Sequence, residues 1–201
     1  MLASINPLGE RSRNRRWGAT FAWYFAGSLL GGAVMGAAFG VLGAAFAAVA
    51  DVGATATAVM VIVAGAVAVA FETHAFGLAL PTIHRQVNED WLSRYRAWVY
   101  GGGFGFQLGL GLVTIVTSAT VYLTWALAFI AGSVPAGLLI GLTFGIVRAL
   151  PMLLVAKVDT PGGLRERLRA FNASAPTAKR IALVTVFAVP LVGVLVVGAA
   201  V

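Results

Sequence analysis

The chain has 201 residues, 60% hydrophobic and only 10% charged, against about 25% charged in an average soluble domain, which excludes a soluble globular fold and calls for one membrane-embedded domain over residues 1–201. It has no cysteine, so disulfides, thiolate metal sites, iron–sulfur ligation and thiol catalysis are excluded. The net charge of +7 lies in loops between apolar runs, not on a basic surface with interleaved base readers, which excludes nucleic acid as a partner.

Thirteen of the 14 Lys and Arg residues fall within residues 11–16, 85–96 and 157–180. Lys and Arg collect on the cytoplasmic side, and about 20 apolar residues cross a hydrocarbon core of about 30 Å. The three basic segments therefore face the cytoplasm. The connectors around residues 50–54 and 132–135 carry one charge, Asp51, and face the other side. The expected fold is an all-α integral membrane protein with five transmembrane helices, N-terminus inside and C-terminus outside.

The apolar stretch at residues 17–50 is far longer than the 7–15 residues of a signal-peptide core, so it reads as a retained first helix. That helix is expected over about 17–49, with Trp17, Trp23 and Tyr24 at the headgroup boundary. Helix 2 is expected over 54–80, closed by Pro81, and helix 3 over 99–131. Helix 4 is expected over 134–155, with Pro135 in its first turn where a missing N–H costs little, and helix 5 over 181–201. Two cytoplasmic segments read as amphipathic helices lying on the anionic inner leaflet. In 84–98, Trp91, Tyr95 and Trp98 share a face beside Arg94 and Arg96. In 159–180, Thr160-Pro161 forms a cap, and Leu164, Leu168 and Phe171 alternate with Arg165, Arg167 and Arg169.

Glycines recur every four residues at Gly32, Gly36 and Gly40, at Gly101, Gly105 and Gly109, and at Gly137, Gly141 and Gly145. Four-residue spacing keeps them on one helix face, where backbones approach closely. The ladders predict a glycine-zipper bundle; the alternative is helices that slide or line a narrow path. On a continuous helix 3, Gln107, Gly111, Thr114 and Ser118 stay within about 40° of one another. They form either a solute path or interhelical hydrogen bonds.

Ionisable residues within spans are functional candidates by default, which selects Glu72, His74 and Arg148. Counted from the outer helix ends, Glu72 and Arg148 reach the cytoplasmic third and can pair, unless Arg148 snorkels to the inner headgroups and Glu72 is interfacial. His74 is a weak metal candidate with no second ligand at useful spacing, so no metal or cofactor is expected. No nucleotide-binding loop, His-Glu-x-x-His helix, paired buried carboxylates or serine elbow is present, so no enzyme is expected.

Residues 101–122, opening with Gly103-Phe104-Gly105-Phe106, then a tight turn and the helix bearing Gly141-Leu142-Thr143-Phe144-Gly145, resemble the membrane domain of the cytochrome c biogenesis and DsbD-type thiol-reductant transporters. The resemblance implies two inverted three-helix repeats, here without the first helix. It also implies electron transfer through Pro-Cys pairs, and this chain departs from the family there. Helix 3 has neither residue, and Thr114, Thr117 and Ser118 cannot exchange disulfides.

The leading expectation is a small-solute transporter of a bacterial inner membrane, passing a polar or anionic solute by Gln107, Thr114 and Ser118, with Glu72 and Arg148 as a gating or binding pair. The alternative is a non-transporting accessory or membrane subunit that docks a cytoplasmic partner on its basic segments. A homodimer is a further expected assembly.

Overall fold

A computed structural model of the chain describes residues 5–82, 94–113 and 115–200. Among them every regular element is helical: α1 (Pro7–Ser12), α2 (Trp17–Ala50), α3 (Ala54–Glu72), α4 (Ala97–Leu110), α5 (Thr120–Ile130), α6 (Val134–Ala149), α7 (Pro161–Ala173) and α8 (Ala175–Ala200), with 3-10 turns at Ala75–Gly77 and Leu150–Val155. The protein is a multi-pass helical membrane protein. Four stretches are long and apolar enough to cross a bilayer: α2, α3, Val134–Val155 and Pro161–Leu195.

The spine is α2, with 34 residues and a length of about 51 Å at 1.5 Å per residue. Its glycines explain why it takes neighbours on two sides. Gly32 and Gly36 meet Gly141 and Gly137 of α6, and Gly40 meets Ser133 just ahead of it, in reversed order, so α2 and α6 are antiparallel. Gly101, Gly105 and Gly109 of α4 meet Thr20, Tyr24 and Ser28 in the same order, so α2 and α4 are parallel. A Cβ on Gly40 would lie 2.7 Å from the Ser133 carbonyl oxygen, and one on Gly101 2.9 Å from that of Thr20. These distances leave no room for a side chain. All three predicted ladders therefore pack on α2 or belong to it, and Ser28, whose hydroxyl donates to the Gly145 carbonyl at 2.8 Å, sits where they converge.

The second layer pairs α3 with α8, where Gly65 makes the notch for the Pro190 ring, 2.5 Å from a Cβ built on the glycine. Trp125, 2% exposed, holds α5 to α2 and α6 through Phe39 and Phe144, with ring centroids 6.1 and 4.7 Å away. Such pairs contribute about 0.5–1.5 kcal/mol each beyond their buried area.

Three predicted helices differ. Helix 2 ends at Glu72, eight residues short of the expected 80, because His74 enters the left-handed region (φ 54) and a 3-10 turn follows. Helix 5 begins at Ala175, since the exposed turn bearing Thr177, Lys179 and Arg180 is helical too. The largest correction is helix 3. The continuous helix expected over 99–131 is two, α4 and α5, separated by irregular backbone. Gly111 turns the chain at φ 74, and Val113, Ile115, Val116 and Thr117 then form a β-branched run that stiff side chains make a poor helix.

Thr160 caps α7 as expected, its hydroxyl accepting from the Gly163 N–H at 3.1 Å. The helix turns Leu164 and Leu168 inward and leaves Arg165, Arg167 and Arg169 exposed. Of the other predicted amphipathic segment, 84–98, residues 84–93 lie outside the described residues.

Candidate functional site

The break between α4 and α5 is where buried polar groups converge. Interrupting a helix inside a membrane frees N–H and C=O groups that must find partners within the protein. Two come from distant parts of the chain. The Thr82 hydroxyl accepts the Val116 N–H at 2.8 Å, and Glu72 Oε2 accepts the Ala119 N–H at 2.6 Å and the Ser118 hydroxyl at 3.0 Å. Ser118 Oγ in turn lies 2.9 Å from Thr120 Oγ1 and accepts the Thr120 N–H at 3.2 Å. The Tyr122 hydroxyl donates to the Pro81 carbonyl, strapping the segment after α3 across the start of α5. Glu72 is only 6% exposed. Its carboxyl group lies at the α5 N-terminus, where the helix dipole favours an anion.

Two adjoining cavities open around this break. The larger, about 790 Å³, lies between α5, α6 and α8 and includes Ser118, Thr124, Thr143, Arg148 and Thr185 in its wall. The smaller, about 440 Å³, includes Glu72, His74, Asn172 and Lys179. Thr117, Ser118, Ala178 and Ala182 line both.

The predicted site residues separate accordingly. Ser118 and Glu72 come together; Arg148 joins them only as part of the larger cavity's wall, its guanidinium 5.5 Å above the Phe144 ring. The predicted pairing of Glu72 with Arg148 is corrected, because the Glu72 carboxylate is directed to the α5 N-terminus. The predicted seam of Gln107, Gly111, Thr114 and Ser118 does not form a helical face either, since the helix ends before Gly111. Gln107 is half-buried on α4 and lines neither cavity. Thr114 lies outside the described residues. His74 is exposed, with Nδ1 3.2 Å from the Leu78 carbonyl oxygen, and among the described residues no three His, Asp or Glu side chains cluster to hold a metal.

One buried polar cluster escaped the sequence reading. Asn6 caps α1 by accepting the Gly9 N–H at 2.9 Å, and α1 places Glu10 in a fully buried nest. There the Tyr100 and Thr20 hydroxyls each donate to its carboxylate at 2.6 Å, and the Arg13 guanidinium lies 3.2 Å away. The available signal was Glu10 itself, one acid beside four arginines behind an Asn-Pro helix start.

The family described as cytochrome C biogenesis protein transmembrane region matches residues 2–196. The chain belongs to this family. Curated relatives include methylamine utilization protein MauF of Methylophilus methylotrophus, 31% identical over 156 residues, covering 75% of this chain and 53% of the relative. The MauF of Methylorubrum extorquens is 33% identical over 159 residues (76% and 52%), and that of Paracoccus denitrificans 31% over 161 residues (77% and 56%). The chain thus spans about half the length of the curated relatives it matches. No solved structure matches. These relationships overturn the small-solute transporter expectation: the family description and the relatives' names concern cytochrome c biogenesis and methylamine utilization, with no solute transport in either.

Proposed function

We propose that the protein is an accessory membrane subunit of a protein-maturation system, acting as a scaffold and not through thiol exchange. The observation that carries this reading is a cytochrome c biogenesis-type membrane domain matched over residues 2–196 in a chain without a single cysteine. Without a thiolate it cannot relay disulfide exchange. The likeness to proteins named for methylamine utilization supports a place in amine metabolism, and the family's cytochrome c biogenesis description supports a maturation task there.

The reading places the chain in a bacterial inner membrane, N-terminus in the cytoplasm, and gives it no catalytic role. The exposed arginines of α7, with exposed Lys179 and Arg180 behind them, offer a cationic surface for an acidic face of a cytoplasmic partner. The test is gentle extraction from the native host followed by native mass spectrometry. A stoichiometric protein partner is expected, and it should be lost when Arg165, Arg167 and Arg169 are all changed to Glu. A homogeneous chain with no partner protein would refute the reading.

A further inference from the structure

The larger cavity has a polarity gradient that selects its occupant. Arg148, Ser118 and Ala178 line one end, where α6 finishes and α8 starts; Leu127 and Leu139 line the other. From Leu139 to Arg148 is nine residues of α6, about 13 Å of rise. The hydroxyls between these ends are committed elsewhere: Thr124, Thr143 and Thr185 each donate to the carbonyl four residues back, at 2.8, 2.8 and 2.9 Å. With those donors used, the threonines present mainly methyl groups beside Leu127, Ile140, Phe144, Val147 and Ile181. A polar solute would find few partners along this shaft. An alkyl chain would find apolar wall throughout.

The polar end is built for a negative group. The Phe144 ring 5.5 Å below the Arg148 guanidinium restricts its orientation, and guanidinium binds phosphate in a bidentate fork. Through the shared wall at Ser118 and Ala178, the smaller cavity adds Lys179 and Asn172. The nearby carboxylate, Glu72, has its Oε2 directed to the α5 N-terminus.

We propose that this cavity seats one anionic phospholipid, its phosphate at Arg148 and Lys179 and one acyl chain along the shaft between α5, α6 and α8. The site shares Lys179 with the cationic surface of the accessory-subunit reading, but that reading is tested at Arg165, Arg167 and Arg169 of α7, which line neither cavity.

The test is native mass spectrometry of the full chain, delipidated in detergent and then supplied with phosphatidylglycerol or phosphatidylcholine of identical acyl chains. One phosphatidylglycerol per chain should survive activation that strips phosphatidylcholine, and millimolar inorganic phosphate alone should not displace it. Thr143→Trp or Thr185→Trp, each filling the shaft from an exposed wall position, should abolish retention. Thr143→Val, which keeps the shape and removes the hydroxyl, should retain the lipid and guards against loss through misfolding. Arg148→Gln should cut the preference for the anionic lipid about tenfold, the size of one lost charge-assisted contact. Retention unchanged in both tryptophan variants, an unaltered preference in Arg148→Gln, loss of lipid in Thr143→Val, displacement by phosphate, or only a non-stoichiometric lipid coat would each overturn the proposal.

Discussion

Glu72 closes the N-terminus of a helix whose cap residue lies 47 residues later in the chain, accepting the Ala119 N–H at 2.6 Å. The third span can therefore break without leaving this amide unpaired, and the end of α3 is tied to the start of α5. A carboxylate from a different helix does what an N-cap residue does locally, and the charge gains from the α5 dipole.

Removing this cap should destabilise the bundle. Glu72→Ala leaves the Ala119 N–H without an acceptor, a cost of about 1–3 kcal/mol. Glu72→Gln keeps an acceptor oxygen and should cost less than half as much. Melting midpoints in detergent check the ranking; an Ala variant as stable as the parent would show that the break is satisfied some other way.

Glycine substitutions should divide by position and not by helix propensity. Gly36→Ala, Gly105→Ala and Gly141→Ala each drive a methyl into a facing backbone and should cost about 1–3 kcal/mol through overpacking. Gly18, whose Cβ position meets nothing within 4 Å, should accept alanine and gain up to about 1 kcal/mol from the helical backbone. The same melting assay separates the two groups.

The Glu10 nest should behave as a latch for the N-terminal segment. Each hydroxyl donated to a buried carboxylate contributes about 1.5–3 kcal/mol, so Tyr100→Phe and Thr20→Val should each expose α1. Because α1 lies outside the glycine spine, the loss should be local: faster trypsin cleavage after Arg11 and Arg13 and faster amide exchange in residues 7–12, with little change in global melting. Glu10→Gln combined with Tyr100→Phe should fall short of the sum of the single effects, since both remove the same interaction.

The Arg11–Asp159 ion pair, 3.0 Å long, is a contrast. Its side chains are 68% and 66% exposed, so Asp159→Ala should cost at most about 1 kcal/mol, less still in high salt. A larger loss in the melting assay would mean that the pair is shielded by a partner.

Orientation in the membrane can be read directly, since the absence of cysteine gives a clean background. Gly53→Cys, where a side chain meets nothing within 4 Å, should react with an impermeant maleimide in intact spheroplasts. Ser174→Cys, exposed between α7 and α8, should react only after permeabilisation.

What was legible in the sequence was what repeats locally. Apolar run length marked the spans, and four-residue glycine spacing marked the faces that pack on α2, because one helix turn sets both signals. The Thr160-Pro161 cap was readable for the same reason: donor and acceptor lie three residues apart. The continuous third helix was misread because Gln107, Gly111, Thr114 and Ser118 have helical spacing, and spacing says nothing about whether the backbone between them stays helical. Gly111 and the β-branched run weaken that helix locally, but its break is supported by Glu72 and Thr82, 47 and 34 residues away from the amides they accept. Tertiary structure likewise buried Glu10, turned the Glu72 carboxylate toward α5 instead of Arg148, and assembled the cavity from α5, α6 and α8. Each is a long-range choice of partner for a polar group withdrawn from water, and only the packed chain decides which partner lies within reach.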